Sequence, residues 1–180
     1  MVKEVVDITG KIDALVNNAS IFSTIKMKPF DEITVEEWDK LMAVNWKGTW
    51  SVSKVVAQVL KAQKSGKIVN ISSCSMEVGK TDYLHYVTSK SSIIGMTRAM
   101  ARELGPYTIN VNTVIPGATF TEIERETNSE EFLQAMFAQM CIGRKQTPDD
   151  LVGAVMFFCS PWADFITGQS LIVDGGLRFK

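Results

Sequence analysis

The sequence predicts an α/β fold: a parallel sheet with helices on both faces. Short apolar runs with the character of buried strands alternate with longer segments whose apolar residues recur at helical spacing. Connections of that length imply parallel pairing through right-handed crossovers. Polar residues cluster just after the strands, which is where ligands sit on such sheets. The 180 residues, 46% hydrophobic and 22% charged, suffice for a single domain over 1–180 with a real core.

The elements follow in order. Val2, Val5, Val6 and Ile8 end a helical run closed by Gly10, and residues 12–17 form a short buried strand. Thr34-Val35-Glu36-Glu37 is a capping box. Behind it Trp38, Leu41, Met42, Val52, Val55, Val56, Val59 and Leu60 continue at helical spacing until Gly66 stops the helix, with a kink expected between Asn45 and Gly48. Residues 67–72 are a second strand, residues 84–104 a helix stopped by Gly105-Pro106, and residues 108–114 a third strand. Pro116-Gly117 opens an irregular segment, residues 129–140 read as a helix, and Thr147-Pro148 starts another with proline at its first position. Residues 169–173 are the last strand.

Composition excludes several classes of function. A net charge of -1, with no basic cluster interleaved with aromatics, argues against a nucleic-acid partner. The longest apolar stretch, residues 151–159, is too short to cross a bilayer, so no membrane role is expected. Residues 1–10 carry Lys3, Glu4 and Asp7 and do not have the pattern of a secretory signal, so the cytoplasm is the expected compartment. Cys74, Cys141 and Cys159 are widely spread and unaccompanied by histidines, which points to reduced, packed thiols and to no metal site.

Tyr86 and Lys90 stand four apart at the start of the 84–104 helix and so share one face, with Ser73 upstream at a strand end. A lysine ammonium beside a phenol favours the phenolate, lowering a pKa that is otherwise roughly 10. Tyr86 thereby becomes a usable acid and base. Ser73 is placed to hydrogen-bond a substrate oxygen while hydride moves to or from the adjacent carbon.

Several motifs carry a family resemblance in chain order. Asn17-Asn18-Ala19 follows a strand, and Val44-Asn45 lies in the next helix. Ile71-Ser72-Ser73, Tyr86-Val87-Thr88-Ser89-Lys90 and Asn112 before Pro116-Gly117 come next, and Phe165-Ile166-Thr167-Gly168 precedes Asp174-Gly175-Gly176. The set resembles the short-chain dehydrogenase/reductase family over essentially the whole chain, and within it 3-oxoacyl-carrier-protein reductases and secondary-alcohol dehydrogenases. The resemblance implies a Rossmann-type doubly wound parallel sheet and an NAD- or NADP-dependent enzyme acting on a small secondary alcohol or ketone. It implies that Asn45 lets its helix backbone hold a water leading from Lys90 to solvent. It implies that Asn18, Ala19, Tyr86, Lys90, Pro116 and Gly117 contact the cofactor and that Thr121 holds the nicotinamide carboxamide. Segments 35–64 and 84–104 resemble the family's dimer-forming helices, so a homodimer or homotetramer is expected.

Two departures stand out. Ser20 replaces the glycine that ends the Asn-Asn-Ala-Gly motif, which is tolerable if its φ is negative. The strand, Gly-rich turn and helix that open the family's fold do not occur in the sequence, so the fold expected is partial, lacking the N-terminal βαβαβ half. That half places the pyrophosphate and selects NAD or NADP. The expectation is an N-terminally truncated fragment beginning at an internal methionine, with residues 12–17 left as an edge strand. The alternative is a non-catalytic subunit or interaction module that pairs with a full-length relative.

Other residues keep two readings. Ser73 binds substrate or caps a turn, Asn45 serves the relay or satisfies a kinked helix, and Thr121 is a cofactor ligand or a loop hydroxyl. His85, beside Tyr86 on the helix, touches substrate or, because helix neighbours point apart, is structural or surface. Cys74 lines a pocket or packs as a small residue. Met136, Phe137 and Met140 form a lid or a piece of core, and Gly175-Gly176 is a tail turn or an intersubunit contact. Glu122 to Glu131 is an acidic, solvated face. Met76, Val78, Phe120, Ile123, Phe132 and Met136 point to a fairly hydrophobic substrate.

Overall fold

The computed structural model describes residues 1–122 and 129–179, with Phe132 given by its backbone alone. Ile123, the Phe132 side chain and most of the acidic run therefore lie outside the described residues.

Helix α1 (Val2–Thr9) ends at Gly10, whose left-handed φ of 75° suits a residue without Cβ. Strand β1 (Ala14–Asn17) leads through a loop to α2 (Val35–Met42). Thr34 caps α2 by accepting from Glu37 N, and the Glu37 carboxylate accepts from Thr34 N. The kink expected near Asn45 is a π-helical turn, Ala43–Gly48, followed by α3 (Thr49–Gln63). Helix α3 ends at Lys64, in a left-handed conformation, rather than at Gly66. Gly66 starts β2 (Gly66–Ile71), where a Cβ would sit 2.6 Å from Leu60 Cδ2. Its glycine thus answers a close approach between helix and strand instead of a helix stop.

Helix α4 (Leu84–Leu104), β3 (Ile109–Pro116), α5 (Glu130–Gln139), α6 (Asp149–Cys159) and β4 (Ser170–Val173) complete the order. Pro148 is the N-cap of α6, one place before the first position expected for it. Among the described residues the four strands are all parallel, in the order β1-β2-β3-β4.

Alternation along the strands sends neighbouring residues to opposite faces. Ile68, Ile109 and Val111 pack under α3 and α4 with Val56, Leu60, Ala101 and Leu104. Val69 and Val114 pack under α6 with Phe158 and Ala163. The crossover through α6 thus runs over the face opposite to those through α3 and α4, although all three advance the same way across the sheet. It cannot share their hand, so the expectation of uniformly right-handed crossovers fails for the last one. Its connection, residues 117–169, is long enough to escape the local coupling behind that rule.

A buried polar chain crosses the sheet beneath the strand ends. Asn17 Nδ2 donates to Asn70 Oδ1 (2.8 Å) and Ser53 Oγ (2.9 Å), and Asn70 Nδ2 donates to Thr97 Oγ1 (2.8 Å). The Thr97 and Thr113 hydroxyls meet at 2.7 Å. These bonds couple β1, β2 and β3 to α3 and α4 and leave few buried donors unmet. On the other side of β3, Asn112 donates to Ile166 O (2.8 Å) and accepts from Gln169 N (3.0 Å), binding the 165–168 motif to the sheet. Strand β1 pairs on one side only and is the expected edge, with Val16 41% exposed.

Candidate active site

A cavity of about 320 Å³ opens at the carboxyl ends of the strands. Asn18 after β1, Ser73 after β2, Tyr86 and Lys90 on α4, and Pro116-Gly117 at the end of β3 all line it. Ala19, Asn45 and Thr121 are not on its wall.

Lys90 is buried and sits close under Tyr86, with Nζ 5.8 Å from the phenol ring centroid. Its ammonium donates to Ile71 O (3.0 Å), while Ser72 Oγ donates to Lys90 O (2.8 Å). The end of β2 therefore grips α4 at this residue twice. Burial lowers the Lys90 pKa from 10.5 to about 8. Tyr86 is buried too, its ring 4.7 Å from that of Phe22 and 6.2 Å from that of Tyr83.

Ser73 caps a turn and lies on the cavity wall. Its hydroxyl accepts from Ser75 N (3.2 Å) at the start of a short 3₁₀ turn over Cys74–Met76. Asn45 acts on a loop rather than on its own kinked helix. Its Oδ1 accepts from Ile21 N (2.7 Å), and its Nδ2 donates to Ile21 O (3.1 Å) and to Ser89 Oγ (3.3 Å). This pins the loop bearing Phe22 and ties it to α4. The Asn45 carbonyl accepts from Thr49 Oγ1 (2.9 Å).

Gly117 has a packing reason. A Cβ there would lie 2.7 Å from Asp174 Cβ and 2.8 Å from Gln146 Oε1, so the close approach of the β4 end excludes one. Ser20 lines the cavity without a positive φ, the condition for replacing glycine. Thr121 is exposed.

Among residues with two readings, Cys74 is buried and lines the cavity. Burial, reinforced by the Asp174 carboxylate, pushes its thiol up to about 11, so it stays protonated and is no nucleophile. His85 is buried, off the cavity wall, with its pKa lowered by burial against the pull of Glu37. Met136 lines the cavity, whereas the Phe137 ring packs edge-on against Phe120 at 6.5 Å. Of the apolar residues taken to shape the substrate, Val78 and Met136 reach the wall and Met76 and Phe120 do not.

The reading of the sequence offered Gly175-Gly176 as a tail turn but missed where the residues after it go. Gly175 and Gly176 both have left-handed φ, 68° and 74°, and form a tail turn. Asp174 Oδ1 accepts from Gly176 N and Leu177 N, each at 3.1 Å. This carries Leu177 and Arg178 back onto the cavity. Lys80, Phe22 and Tyr83 line it as well. The one signal available was the Asp-Gly-Gly turn four residues before the chain's last arginine.

Among the described residues no helix is long and apolar enough to cross a membrane, and no cluster of side chains could hold a metal ion.

A family model described as "Enoyl-(Acyl carrier protein) reductase" matches residues 1–178. The chain is 34% identical over 177 residues to a 3-oxoacyl-(acyl-carrier-protein) reductase of Vibrio cholerae, covering 98% of this chain and 71% of that one. It is 32% identical over 180 residues to an NAD-dependent glycerol dehydrogenase of Listeria innocua, covering 100% and 70%. Among solved structures, a gluconate 5-dehydrogenase of Burkholderia cenocepacia in complex with NADP and tartrate superposes with a TM-score of 0.89 at 34% identity, covering 98% of this chain and 68% of that one. These relatives are enzymes and lend no support to the pairing-module alternative. The four-stranded sheet is the corresponding part of a Rossmann-type fold, and the chain belongs to the short-chain dehydrogenase/reductase family of NAD(P)-dependent oxidoreductases.

Proposed function

We propose that the chain interconverts a secondary alcohol and its ketone through Tyr86, Lys90 and Ser73. The observation that carries this reading is their convergence on one cavity at the strand ends, with Lys90 Nζ 5.8 Å from the Tyr86 ring. The Tyr86 phenolate takes the alcohol proton in oxidation, and the Tyr86 hydroxyl gives its proton to the ketone oxygen in reduction. Lys90, charged below about pH 8, favours the phenolate so formed. Ser73 donates to the substrate oxygen and holds it at the phenol. Asn45 is a positioning residue that fixes the loop carrying Phe22 against the Tyr86 ring.

The residues present fit a nicotinamide cofactor. Asn18, Ser73 and Lys90 supply polar groups in a cavity whose walls at Phe22, Ile71, Pro116 and Leu177 are apolar. An ammonium has three donors and Ile71 O takes one, which leaves donors for ribose hydroxyls. NAD or NADP supplies or accepts the hydride when bound. Their place on the cavity wall supports backbone contacts from Asn18 and Pro116-Gly117 to it, while exposed Thr121 and off-wall Ala19 have no such support.

The test follows ketone-dependent oxidation of NADH and NADPH by absorbance, in the protein and in Tyr86→Phe. The variant is expected to lose about 10²–10⁴-fold in kcat, the usual share of a positioned acid. Equal rates in the two proteins would overturn the relay.

The homo-oligomer expected from the two long helices has support in Trp46, Trp50 and Val55, which leave large apolar surface exposed on the π turn and α3. Sedimentation velocity should show a dimer or tetramer, and a monomer at all concentrations would sink this expectation.

A further inference from the structure

Among the described residues, those lining the cavity include three cations, Lys80, Lys90 and Arg178, and no carboxylate. Lys90 belongs to the proton relay and is held by Ile71 O. The other two have no task in that relay. Arg178 is built in: its side chain is 26% exposed, and Nη1 lies 3.6 Å from Asp174 Oδ2. Asp174 is itself buried, and its other oxygen is committed to Gly176 N and Leu177 N. At 3.6 Å the pair is an ion contact too long for a strong hydrogen bond, and beside its interaction with the Cys74 thiol the guanidinium keeps donors for a ligand. Ser75 Oγ, enclosed at the same wall, has no hydrogen-bond partner among the described residues.

We propose that this end of the cavity takes an anionic group of the substrate. The substrate is a secondary alcohol or ketone bearing a carboxylate or phosphate, gripped by Arg178, with Lys80 a second cation on the cavity wall. The guanidinium fork matches the paired oxygens of either anion, and Asp174 holds it from behind without presenting its own charge to the cavity. This rests on the reading of the cavity as an alcohol/ketone site and replaces the fairly hydrophobic substrate expected from the sequence.

Calorimetric titration of the full chain tests it with 4-oxopentanoate against its methyl ester, and hydroxyacetone phosphate against hydroxyacetone. At least one anion should bind about tenfold or more tighter than its neutral counterpart, the scale of a charge-assisted bond. Arg178→Gln should remove that preference while leaving neutral-ketone and NADPH binding within twofold, and Arg178→Lys should restore part of it. Equal affinities within both pairs would overturn the proposal. So would an Arg178→Gln variant whose NADPH binding falls as much as its anion binding, because the cation would then serve the cofactor. Hydride transfer is followed separately. Turnover of ketones with no anion preference leaves the oxidoreductase reading standing and removes this site. Anion binding lost in Arg178→Gln, without turnover by either cofactor, keeps the site and removes the relay.

Discussion

Lys90→Met separates what the site costs the fold from what it does in catalysis. Burial lowers Lys90 from 10.5 to about 8, and about 1.4 kcal/mol per tenfold in protonation makes that difference worth about 3 kcal/mol. This is free energy set against the folded state whenever Lys90 is charged. Methionine fills a similar volume without charge, although Ile71 O loses its donor at a cost of about 1 kcal/mol. The variant should therefore be more stable at pH 7 by about 1–2 kcal/mol while losing activity. Because the folded value lies below the unfolded one, the unfolded chain binds more protons between about pH 8 and 10.5. Stability of the wild type rises relative to the variant through that window, and below about pH 8 the penalty is constant. Urea unfolding at pH 7 and pH 10 reads it directly: the variant leads at pH 7 and loses most of that lead at pH 10. Two proteins whose midpoints move in parallel between these pH values would refute the reasoning.

Gly117→Ala forces a methyl to within 2.7 Å of Asp174 Cβ and should cost about 1–3 kcal/mol, and an unchanged thermal midpoint would show that the β4 end can retreat. Thr97→Val keeps the shape but strips Asn70 Nδ2 and the Thr113 hydroxyl of a buried partner, so the urea midpoint should fall by the equivalent of about 1–3 kcal/mol with the slope preserved. Thr34→Ala removes half of the α2 capping box and should cost about 1 kcal/mol by the same assay, whereas no change would mean that Glu37 alone carries the cap.

The sequence was most legible where one local rule decided the outcome. The Thr34 capping box set the start of α2, and the Tyr86 and Lys90 pair fell on one buried face because helical spacing admits nothing else. It was least legible where chain segments far apart meet. Gly66 and Gly117 answer side chains of Leu60, Gln146 and Asp174, contacts that no local pattern encodes. The last crossover changes face through a connection too long for local rules. Arg178 reaches the cavity only because two left-handed glycines and the Asp174 carboxylate reverse the tail. No local pattern marks Arg178 as a cavity residue until that turn is seen.

One stripe along α4 explains how a site of polar, buried groups stays in place. Tyr86, Lys90, Ile93, Thr97, Ala101 and Leu104 are all buried at spacings of three and four, so a single face runs from the cavity into the core. Its carboxyl-terminal part is apolar and packs with Leu60, Ile68, Ile109 and Val111. Thr97 in the middle is bonded to Asn70 and Thr113 on the two central strands. The amino-terminal part carries the acid-base pair, where burial of Lys90 opposes folding. The helix thus uses apolar burial at one end to hold a charge at the other. Rotation of α4 about its axis would break the hydroxyl bonds in the middle. Tyr86 and Lys90 are kept in register with the strand ends by residues that touch neither substrate nor cofactor.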